Sequence, residues 1–471
     1  MKAPLTGNTY IQGFVTVEIL IAFAIIILCM SAVIMIAYGN QLITIDAELS
    51  IEAISKAQRM LEDARARSKQ NFYSVVAIPT TSENIFQKTL NVEDIDLDTK
   101  KITSQVTWST GGGRNPVVAF TTLVTNFKNI CSQSLVGDWV HPQVINTSTI
   151  DIDTTSSLTG LSSTNGYTYI TADASTANKK DFYVVNTSNP VLPILIGSLT
   201  TGPGLSAVSV SGNYAYVANS SINAQLQVVD ITTKNNPTLY KSFKLPITDS
   251  DGGTVGYSVL YHQGKVYLST KKNGKAGLHI IDVSDLSNIR ELGYLEVNNT
   301  INHIQVSGDY AYIASDDNTE ELRVLNISNP ASITNASIYN PSNTSGFGYG
   351  SRIFISGNSL FLGRTFDSNT NNKELYVLDI AKPTLSPLPS LLSQKISSSV
   401  HGVVVKDSLV FLATNSQFQV RKISDLSLLS SLPLMSNSVS MDCQGNYLYM
   451  GVLGDAGGTH KNVLKIIASS P

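Results

Sequence analysis

The sequence predicts a multidomain protein that begins with a long α-helix and a small antiparallel sheet and continues as an all-β domain of repeated units. An apolar run lies near the N-terminus, a helical spacing of apolar residues follows it, and a turn with an aromatic strand recurs seven times after residue 150. A chain of 471 residues is longer than one ordinary domain, which agrees with this division.

Composition narrows the classes of function. The chain has 32 Lys and Arg against 35 Asp and Glu, which gives a formal net charge of -3. Nucleic-acid-binding proteins usually carry a basic surplus, so we expect no nucleic-acid partner. The 3 cysteines are too few for a disulfide scaffold and lack the paired spacing of a zinc site.

The apolar run near the N-terminus, residues 15–38, is interrupted only by Thr16, Glu18 and Ser31. About 24 helical residues span roughly 36 Å, which is enough to cross a bilayer. A buried core helix rarely holds so long an apolar run, so we predict a membrane-spanning segment. Glu18 is the exception, because a carboxylate inside a membrane is costly unless it has a partner or a function.

A short polar leader, residues 1–13, precedes this segment and ends in Gly13, followed by Phe14 and then by Glu18. This arrangement resembles the type IV prepilin signal, although Lys2 is the only basic residue of a leader that is often more basic. The resemblance implies cleavage between Gly13 and Phe14 by the prepilin peptidase and N-methylation of Phe14. It also implies that Glu18 pairs with the N-terminal amine of a neighbouring subunit during filament assembly.

The helix is predicted to cover residues 14–70, with the small sheet in residues 71–130. Strands are predicted at 95–98, 102–108 and 117–125. We favour a sheet that covers the helix over a coiled-coil stalk, because the apolar stripe lacks a strict heptad. This module resembles a compact pilin or minor pilin. The stripe consists of Leu42, Ile45, Leu49, Ala53, Ala57, Met60, Leu61 and Ala64.

The remaining part, residues 131–471, is repetitive. Each copy has a turn residue before an aromatic strand, and a more apolar strand follows. Repeats of about 45 residues with three or four short strands are typical of a β-propeller, and Gly, Asn or Asp suits the tight turn. The turn residues are Gly166, Gly212, Gly264, Gly308, Gly357, Asp407 and Gly445.

Several of the apolar strands end in Asn or Asp and are followed by an Asx-Pro turn, as at Asn189-Pro190, Asn236-Pro237 and Asn329-Pro330. This pattern resembles the LVIVD-repeat β-propeller family over residues 150–471. Seven copies favour seven blades, with six or eight left open. The last copy has only two strands after its turn, so we predict that residues 144–150 supply its missing edge strand and close the ring.

No catalytic cluster stands out in the repeats, and we expect a non-catalytic protein. They contain no tryptophan, whereas propeller quinoprotein dehydrogenases are rich in it. His303, Arg352 and His401 stand at the start of innermost strands and are candidate ligand contacts at the channel mouth. Ordinary polar lining of the channel is the alternative.

One loop has the spacing of calcium ligands, with Asp367, Asn369, Asn371 and Glu374 as candidates. It lacks the glycine expected at a sharp calcium-binding turn, and Asx-rich hairpin loops are common in propellers. Calcium therefore remains an open alternative, and no other cofactor is predicted.

A disulfide between Cys131 and Cys443 is a further hypothesis. Both residues are expected outside the cell, where disulfides persist, and both lie near the predicted closure of the ring. Cys29 lies inside the membrane segment and is expected to act as a small apolar side chain.

These observations predict a minor pilin-type subunit of a type IV pilus or related filament that displays a propeller for adhesion or partner binding. The expected partners are other pilin subunits, the prepilin peptidase, the membrane, and an unknown surface, glycan or protein ligand. The chain is expected to cross the cytoplasmic membrane once before assembly and then to reach the cell surface with the propeller outside. Two alternatives stay open: a membrane-anchored extracellular propeller enzyme or ligand-binding protein, and a pseudopilin of a secretion or DNA-uptake system.

Overall fold

The computed structural model divides the chain into two compact units, one made mainly of the N-terminal helix and the first sheet, the other mainly of residues 125–471. Each unit is described by itself. The structure describes residues 12–70, 75–96, 99–109, 115–125, 135, 137–146, 157–173, 179–246, 253–272, 275–297, 299–341, 348–368, 371–434, 437–453 and 463–470.

The first unit begins with helix α1, Gln12–Gln70, which is 59 residues long. The predicted helix 14–70 is confirmed to within two residues at its start. Ile19–Ala37 is the one stretch of the described chain long and apolar enough to cross a membrane, and none of it is buried within the protein. Its length and composition are those of a membrane anchor or of a signal segment.

Four antiparallel strands form the sheet of this unit, in the order β1-β2-β3-β4. Two predicted strands are confirmed as β3 and β4; of the stretch predicted at 95–98, residues 95 and 96 form the end of the longer β2, and residues 97 and 98 lie outside the described part. The sequence did not predict β1, because its side chains are almost all exposed and lack an apolar alternation. The bounds are β1 Ile78–Glu83, β2 Phe86–Asp96, β3 Thr99–Trp108 and β4 Val117–Thr125.

The sheet packs on the second half of α1. Ala53 and Ala57 are fully buried there, in a cluster with Phe86, Val106 and Trp108. Alanines let the strands approach the helix closely, and the larger side chains of the sheet fill the space between them. The part of the predicted apolar stripe around Ala53 and Ala57 therefore has its partner in the same unit.

The second unit contains seven four-stranded antiparallel sheets among its described residues. We number them sheets 1 to 7 along the chain. A short 3-10 helix, Pro330–Ser332, precedes β21. The strands are β5 Asp138–Val144; sheet 1, β6 Ser157–Thr164, β7 Tyr167–Asp173, β8 Phe182–Asn186, β9 Ile194–Leu199; sheet 2, β10 Leu205–Ser211, β11 Tyr214–Ser221, β12 Ala224–Asp230, β13 Thr238–Phe243; sheet 3, β14 Val255–His262, β15 Lys265–Lys272, β16 Lys275–Asp282, β17 Arg290–Val297; sheet 4, β18 Ile301–Ser307, β19 Tyr310–Ser315, β20 Leu322–Asn326, β21 Thr334–Tyr339; sheet 5, β22 Gly350–Ser356, β23 Ser359–Arg364, β24 Leu375–Asp379, β25 Ser390–Gln394; sheet 6, β26 Val400–Lys406, β27 Leu409–Thr414, β28 Gln417–Lys422, β29 Leu428–Pro433; sheet 7, β30 Ser438–Gln444, β31 Tyr447–Val452, β32 Val463–Ser470 and β5.

The innermost strands form a closed ring. Each of β6, β10, β14, β18, β22 and β26 contacts the innermost strand of the following sheet, and β30 contacts β6. Apolar side chains of neighbouring sheets interleave between them, as where Tyr267 and Ile280 of sheet 3 meet Ile304 and Ile313 of sheet 4. No sheet buries its apolar faces alone, so the ring is stable only when it is complete.

Strand β5 closes the ring by pairing antiparallel with β32, the last strand of the chain. The prediction that a segment before the repeats supplies this strand is confirmed, but the predicted bounds, 144–150, were too late. The paired strand is Asp138–Val144. Trp139 is the physical reason for the difference, because it is 4% exposed and fills the space against Phe411 of sheet 6 at a ring-centroid distance of 4.8 Å.

Outer strands approach the next sheet closely at glycine. A Cβ atom added at Gly293 of β17 would lie 1.6 Å from the carbonyl oxygen of Pro330 in sheet 4. The corresponding Gly197 of β9 approaches the carbonyl oxygen of Lys234 in sheet 2 in the same way, at 2.5 Å. The turn before the last strand of one sheet therefore rests on the glycine of the preceding sheet.

We expect Gly293→Ala to lower the free energy of unfolding by about 1–3 kcal/mol, because a backbone carbonyl would have to move. Gly451→Ala is the matched control, since its Cβ would meet Leu158 and Leu161 at ordinary distances of 3.4 and 3.5 Å. Urea unfolding followed by circular dichroism measures both. Equal stability of the two variants would contradict the close approach.

Candidate functional site

His303 and Arg352 lie at equivalent places in sheets 4 and 5, and His401 lies one residue earlier in the corresponding strand of sheet 6. In each innermost strand the register shifts after the first paired residue, between Ile301 and His303 in β18 and between Gly350 and Arg352 in β22. His303 and Arg352 directly follow this bulge, and His401 is the bulged residue of β26. A bulge redirects the side chains around it, and here it does so at one level of the ring.

Arg352 reaches across the centre of the ring. Its Nη1 donates to the carbonyl oxygen of Ser351 at 3.1 Å and to that of Asn302 in sheet 4 at 3.5 Å. Its Nη2 donates to the carbonyl oxygen of Val439 in sheet 7 at 3.1 Å. One guanidinium therefore connects sheets 4, 5 and 7.

The charge of Arg352 is not neutralised by a side chain in the part of the chain that the structure describes. Burial lowers the pKa of its guanidinium, and nearby Tyr257 acts in the opposite direction. An arginine nevertheless stays protonated at any physiological pH. Among the residues that the structure describes, the hydrogen bonds of this positive charge at the centre of the ring go to backbone carbonyls.

The two histidines are neutral near pH 7. Burial, followed by the positive charge of Arg352, lowers the pKa of His303 to about 3. Burial also lowers the pKa of His401. A hydrogen bond to Asn415 opposes this shift, and the positive charge of Arg352 adds to it. The Nε2 of His401 lies 2.6 Å from Asn415 Oδ1, whereas the buried Nδ1 of His303 has no hydrogen-bond partner among the residues that the structure describes.

In the loop with calcium-ligand spacing, a lysine ammonium group of the protein occupies the place expected for a cation. Asp367 and Glu374 are buried, Asn371 is exposed, and Asn369 lies outside the described residues. The Nζ of Lys395 donates to Glu374 Oε1 at 2.6 Å and to the carbonyl oxygen of Asp367 at 2.8 Å.

The second oxygen of Glu374 is also engaged. It accepts the backbone N–H groups of Ile396 and Ser397 at 2.7 and 3.0 Å. The described residues contain no group of three or more His, Cys, Asp or Glu side chains that could hold a metal. An ammonium group therefore stands where the sequence suggested calcium, and calcium binding stays an untested prediction.

Next to this loop lies a buried ion pair between two sheets. Arg364, at the end of β23, and Glu321, which directly precedes β20, are both 0% exposed. Arg364 donates its Nε and Nη2 to the two oxygens of Glu321, the second at 2.6 Å, and its Nη1 to the carbonyl oxygen of Lys373 at 2.7 Å. Such a two-pronged pair fixes the orientation of both side chains.

Only one cysteine of the predicted disulfide, Cys443, lies among the described residues. Cys443 is disulfide-bonded, and Cys29 is free and exposed on α1. Cys131 lies outside the described residues, so the pairing of Cys131 with Cys443 stays a prediction. The residues of the predicted prepilin signal, Gly13, Phe14 and Glu18, fall within α1, and their side chains also lie outside the described part.

Asp442, beside Cys443 in β30, makes stability depend on pH. Burial raises the pKa of Asp442 from 3.8 to about 6, although Ser163 N–H and Cys443 N–H donate to its carboxylate at 2.7 and 2.8 Å and oppose the shift. Between these two values the folded chain keeps a proton that the unfolded chain has released. Stability from this group therefore falls as the pH rises from about 4 to about 6 and is constant above that.

As the pH rises from 4 to 7, we expect the free energy of unfolding of Asp442→Asn to increase by about 2–3 kcal/mol relative to that of the wild type, because the amide stays neutral. Denaturant titrations at pH 4, 5, 6 and 7 measure this difference. Asp425→Asn is the control of opposite sign, since hydrogen bonds from Ser427 lower the pKa of Asp425. A difference that does not change with pH would contradict the burial of Asp442.

The sequence did not predict a groove in sheets 1 to 3. It lies at the other end of the innermost strands from the bulges, where the turns before the second and fourth strands meet. It has a volume of about 930 Å³. Tyr216 and Tyr261 stack at 4.9 Å on its wall, and the Nζ of Lys234 lies 5.5 Å from the ring of Tyr167. The repeated Tyr-x-Tyr signal was present in the sequence, but it was interpreted only as a marker of strands.

Comparison with known proteins supports the repeated part. Four segments match the LVIVD repeat: residues 161–201, 205–244, 273–296 and 301–341. They fall in sheets 1 to 4, and together with the closed ring they define a β-propeller-like domain. The curated proteins contain no match to this chain.

Solved structures with a similar fold are distant. Sqt1 of Saccharomyces cerevisiae is 10% identical, with a TM-score of 0.47 over 70% of this chain and 89% of that chain. A protein from Lactobacillus plantarum is 14% identical, with a TM-score of 0.46 over 72% and 94%. BamB from Moraxella catarrhalis is 10% identical, with a TM-score of 0.41 over 69% and 97%. We infer no function from these likenesses.

Proposed function

We propose that this protein is a minor pilin-type subunit of a type IV pilus or related filament, which displays a seven-bladed, LVIVD-type propeller for adhesion or partner binding. The proposal rests on the difference between the two halves of α1. Its first half, around Ile19–Ala37, is apolar and exposed, and its second half is covered by the four-stranded sheet. A helix of this kind suits storage in a membrane and later packing against identical helices.

The prepilin-like signal agrees with this role. Glu18 interrupts an otherwise uncharged segment, and a counter-charge from the N-terminal amine of a neighbouring subunit would offset the cost of its burial. The ring of sheets is far larger than the helix-and-sheet unit. One such ring on every subunit would crowd a filament, so a minor or tip position is the better fit.

Non-catalytic display is the part of the proposal that concerns the ring. The pKa of His303 is lowered to about 3, so this imidazole is not tuned to act as a general acid or base near pH 7. Polar groups instead converge on a cation at the centre, which suits binding. The groove on the other side adds an aromatic surface for a partner.

Mass spectrometry of the mature N-terminus tests the proposal directly. We expect a chain that begins at methylated Phe14. A chain that begins at unmodified Met1 would instead show a membrane-anchored propeller, and the filament role would be wrong.

A second experiment tests assembly. We expect Glu18→Ala to remain in the membrane fraction and to be strongly reduced in sheared filaments. Glu48→Ala is the matched control, because Glu48 is an exposed carboxylate on the same helix beyond the membrane segment. Normal entry of Glu18→Ala protein into filaments would overturn the assembly proposal. Isolation of the chain with a secretion or DNA-uptake filament instead of a pilus would identify it as a pseudopilin.

A further inference from the structure

We propose that the centre of the ring binds a carboxylate group, held by Arg352 and His303. This inference concerns the propeller-like domain alone and does not depend on the filament role. It starts from the cation at the channel mouth, which meets no acidic side chain among the residues that the structure describes.

Arg352 has donors to spare. A guanidinium carries five N–H groups, and the structure shows three hydrogen bonds from Arg352, all to backbone carbonyls. Its Nε–H and one Nη2–H therefore have no partner among the described residues and remain for a ligand. Paired N–H groups of arginine match the two oxygens of a carboxylate, which is the strongest geometry for such a contact.

His303 supplies a further polar atom at the same level of the ring. It follows the bulge of β18 as Arg352 follows the bulge of β22. Its Nδ1 is buried and has no hydrogen-bond partner in the described part of the chain. A neutral imidazole can donate a hydrogen bond from this atom, and an unpaired buried polar group costs free energy that a ligand oxygen would recover.

Other arginines of the ring show what distinguishes Arg352. Arg364 is paired with Glu321, and Arg323 is paired with Glu320. Arg421 is also buried without a carboxylate, but its donors meet Gln419 and the carbonyl oxygen of Leu426 within its own sheet. Only Arg352 combines an unneutralised charge, contacts to three sheets and a neighbouring unpartnered histidine atom among the described arginines.

The ligand chemistry that fits is therefore a single carboxylate, from an acidic sugar of a surface glycan or from a free small carboxylic acid. A neutral sugar would leave the charge of Arg352 uncompensated. A nucleic acid is a poor fit, because the overall charge of the chain is negative.

Isothermal titration calorimetry of the full chain in detergent tests the proposal with glucuronate, acetate and glucose as probes. We expect glucuronate to bind and glucose not to bind. We expect Arg352→Gln to weaken glucuronate binding at least about tenfold, as the loss of charge-assisted hydrogen bonds predicts. His303→Leu is a second variant and should weaken binding about three- to tenfold through one lost contact.

Arg421→Gln is the matched control, because it removes a buried arginine that lies away from the centre. Much tighter binding of glucuronate than of acetate would support an acidic glycan as the source, and equal binding would support a free carboxylic acid. Absence of binding by both carboxylates, or unchanged affinity in Arg352→Gln and His303→Leu, would overturn the proposal. Circular dichroism of each variant confirms that it is folded.

Discussion

Replacing Glu321 with glutamine is expected to lower the free energy of unfolding of the propeller-like domain by about 3–5 kcal/mol. Glu321 and Arg364 are both fully buried and belong to neighbouring sheets. Glutamine keeps the volume of the side chain but removes its charge, so the buried guanidinium of Arg364 loses the carboxylate that it binds through two hydrogen bonds. The unfolded chain suffers no such penalty, because water solvates both groups there.

The double variant Glu321→Leu with Arg364→Met removes both charges at once, so neither is left buried without the other. Apolar replacement of a whole buried pair is often neutral or stabilising, so we expect it to recover much of the loss. Arg290→Gln is the exposed control, because Arg290 is 62% exposed beside Asp282 and should change stability by less than about 1 kcal/mol. Equal effects of Glu321→Gln and Arg290→Gln in urea unfolding would show that the buried pair is not formed.

Replacing Trp139 with alanine is expected to cost about 3–5 kcal/mol, because it removes the largest side chain of the strand that closes the ring. Trp139 is 4% exposed and packs edge-on against Phe411 of sheet 6. Its strand, β5, pairs with the last strand of the chain. Loss of this anchor therefore weakens the contact that joins the two ends of the ring.

The neighbouring residue provides a close control. Val140 is on the same strand and 43% exposed, so Val140→Ala should change stability by about 0.5 kcal/mol or less. The chain has only 2 tryptophans. Trp108, buried in the helix-and-sheet unit with Phe86, should keep its own fluorescence transition in the Trp139→Ala variant. A circular dichroism midpoint equal to that of Val140→Ala would contradict the role of Trp139 in closure.

Periodic features of the chain were predictable. The uncharged run and the three- and four-residue spacing gave α1 almost to its ends, because helical periodicity is a local property. The turn residues of the repeats were also correct in their conformation, as Gly308 has a φ of 55° and Asp407 a φ of 52°. Left-handed backbone at a tight turn depends on the residue itself and on few neighbours.

Non-periodic features were harder to predict. Strand β1 carries few apolar residues and forms because its backbone pairs with the edge of β2. The closing strand was placed six residues too late, because its position is set by where Trp139 meets sheet 6 and not by a local signal. Among the site residues, the sequence indicated His303, Arg352 and His401 as one group, but it gave no sign that Arg352 contacts three sheets.

The long helix, its apolar half and the repeated strands follow from the amino-acid sequence alone, since each depends on the order of residues within about one turn or one hairpin. Which charges meet across the ring depends instead on how the sheets pack. Lys395, which directly follows β25, reaches the loop of Asp367 and Glu374; Arg364 pairs with Glu321 of the preceding sheet; and Arg352 meets no carboxylate among the described residues. Those outcomes depend on contacts between residues 20 or more positions apart, and the free energy of a buried charge depends on such distant neighbours.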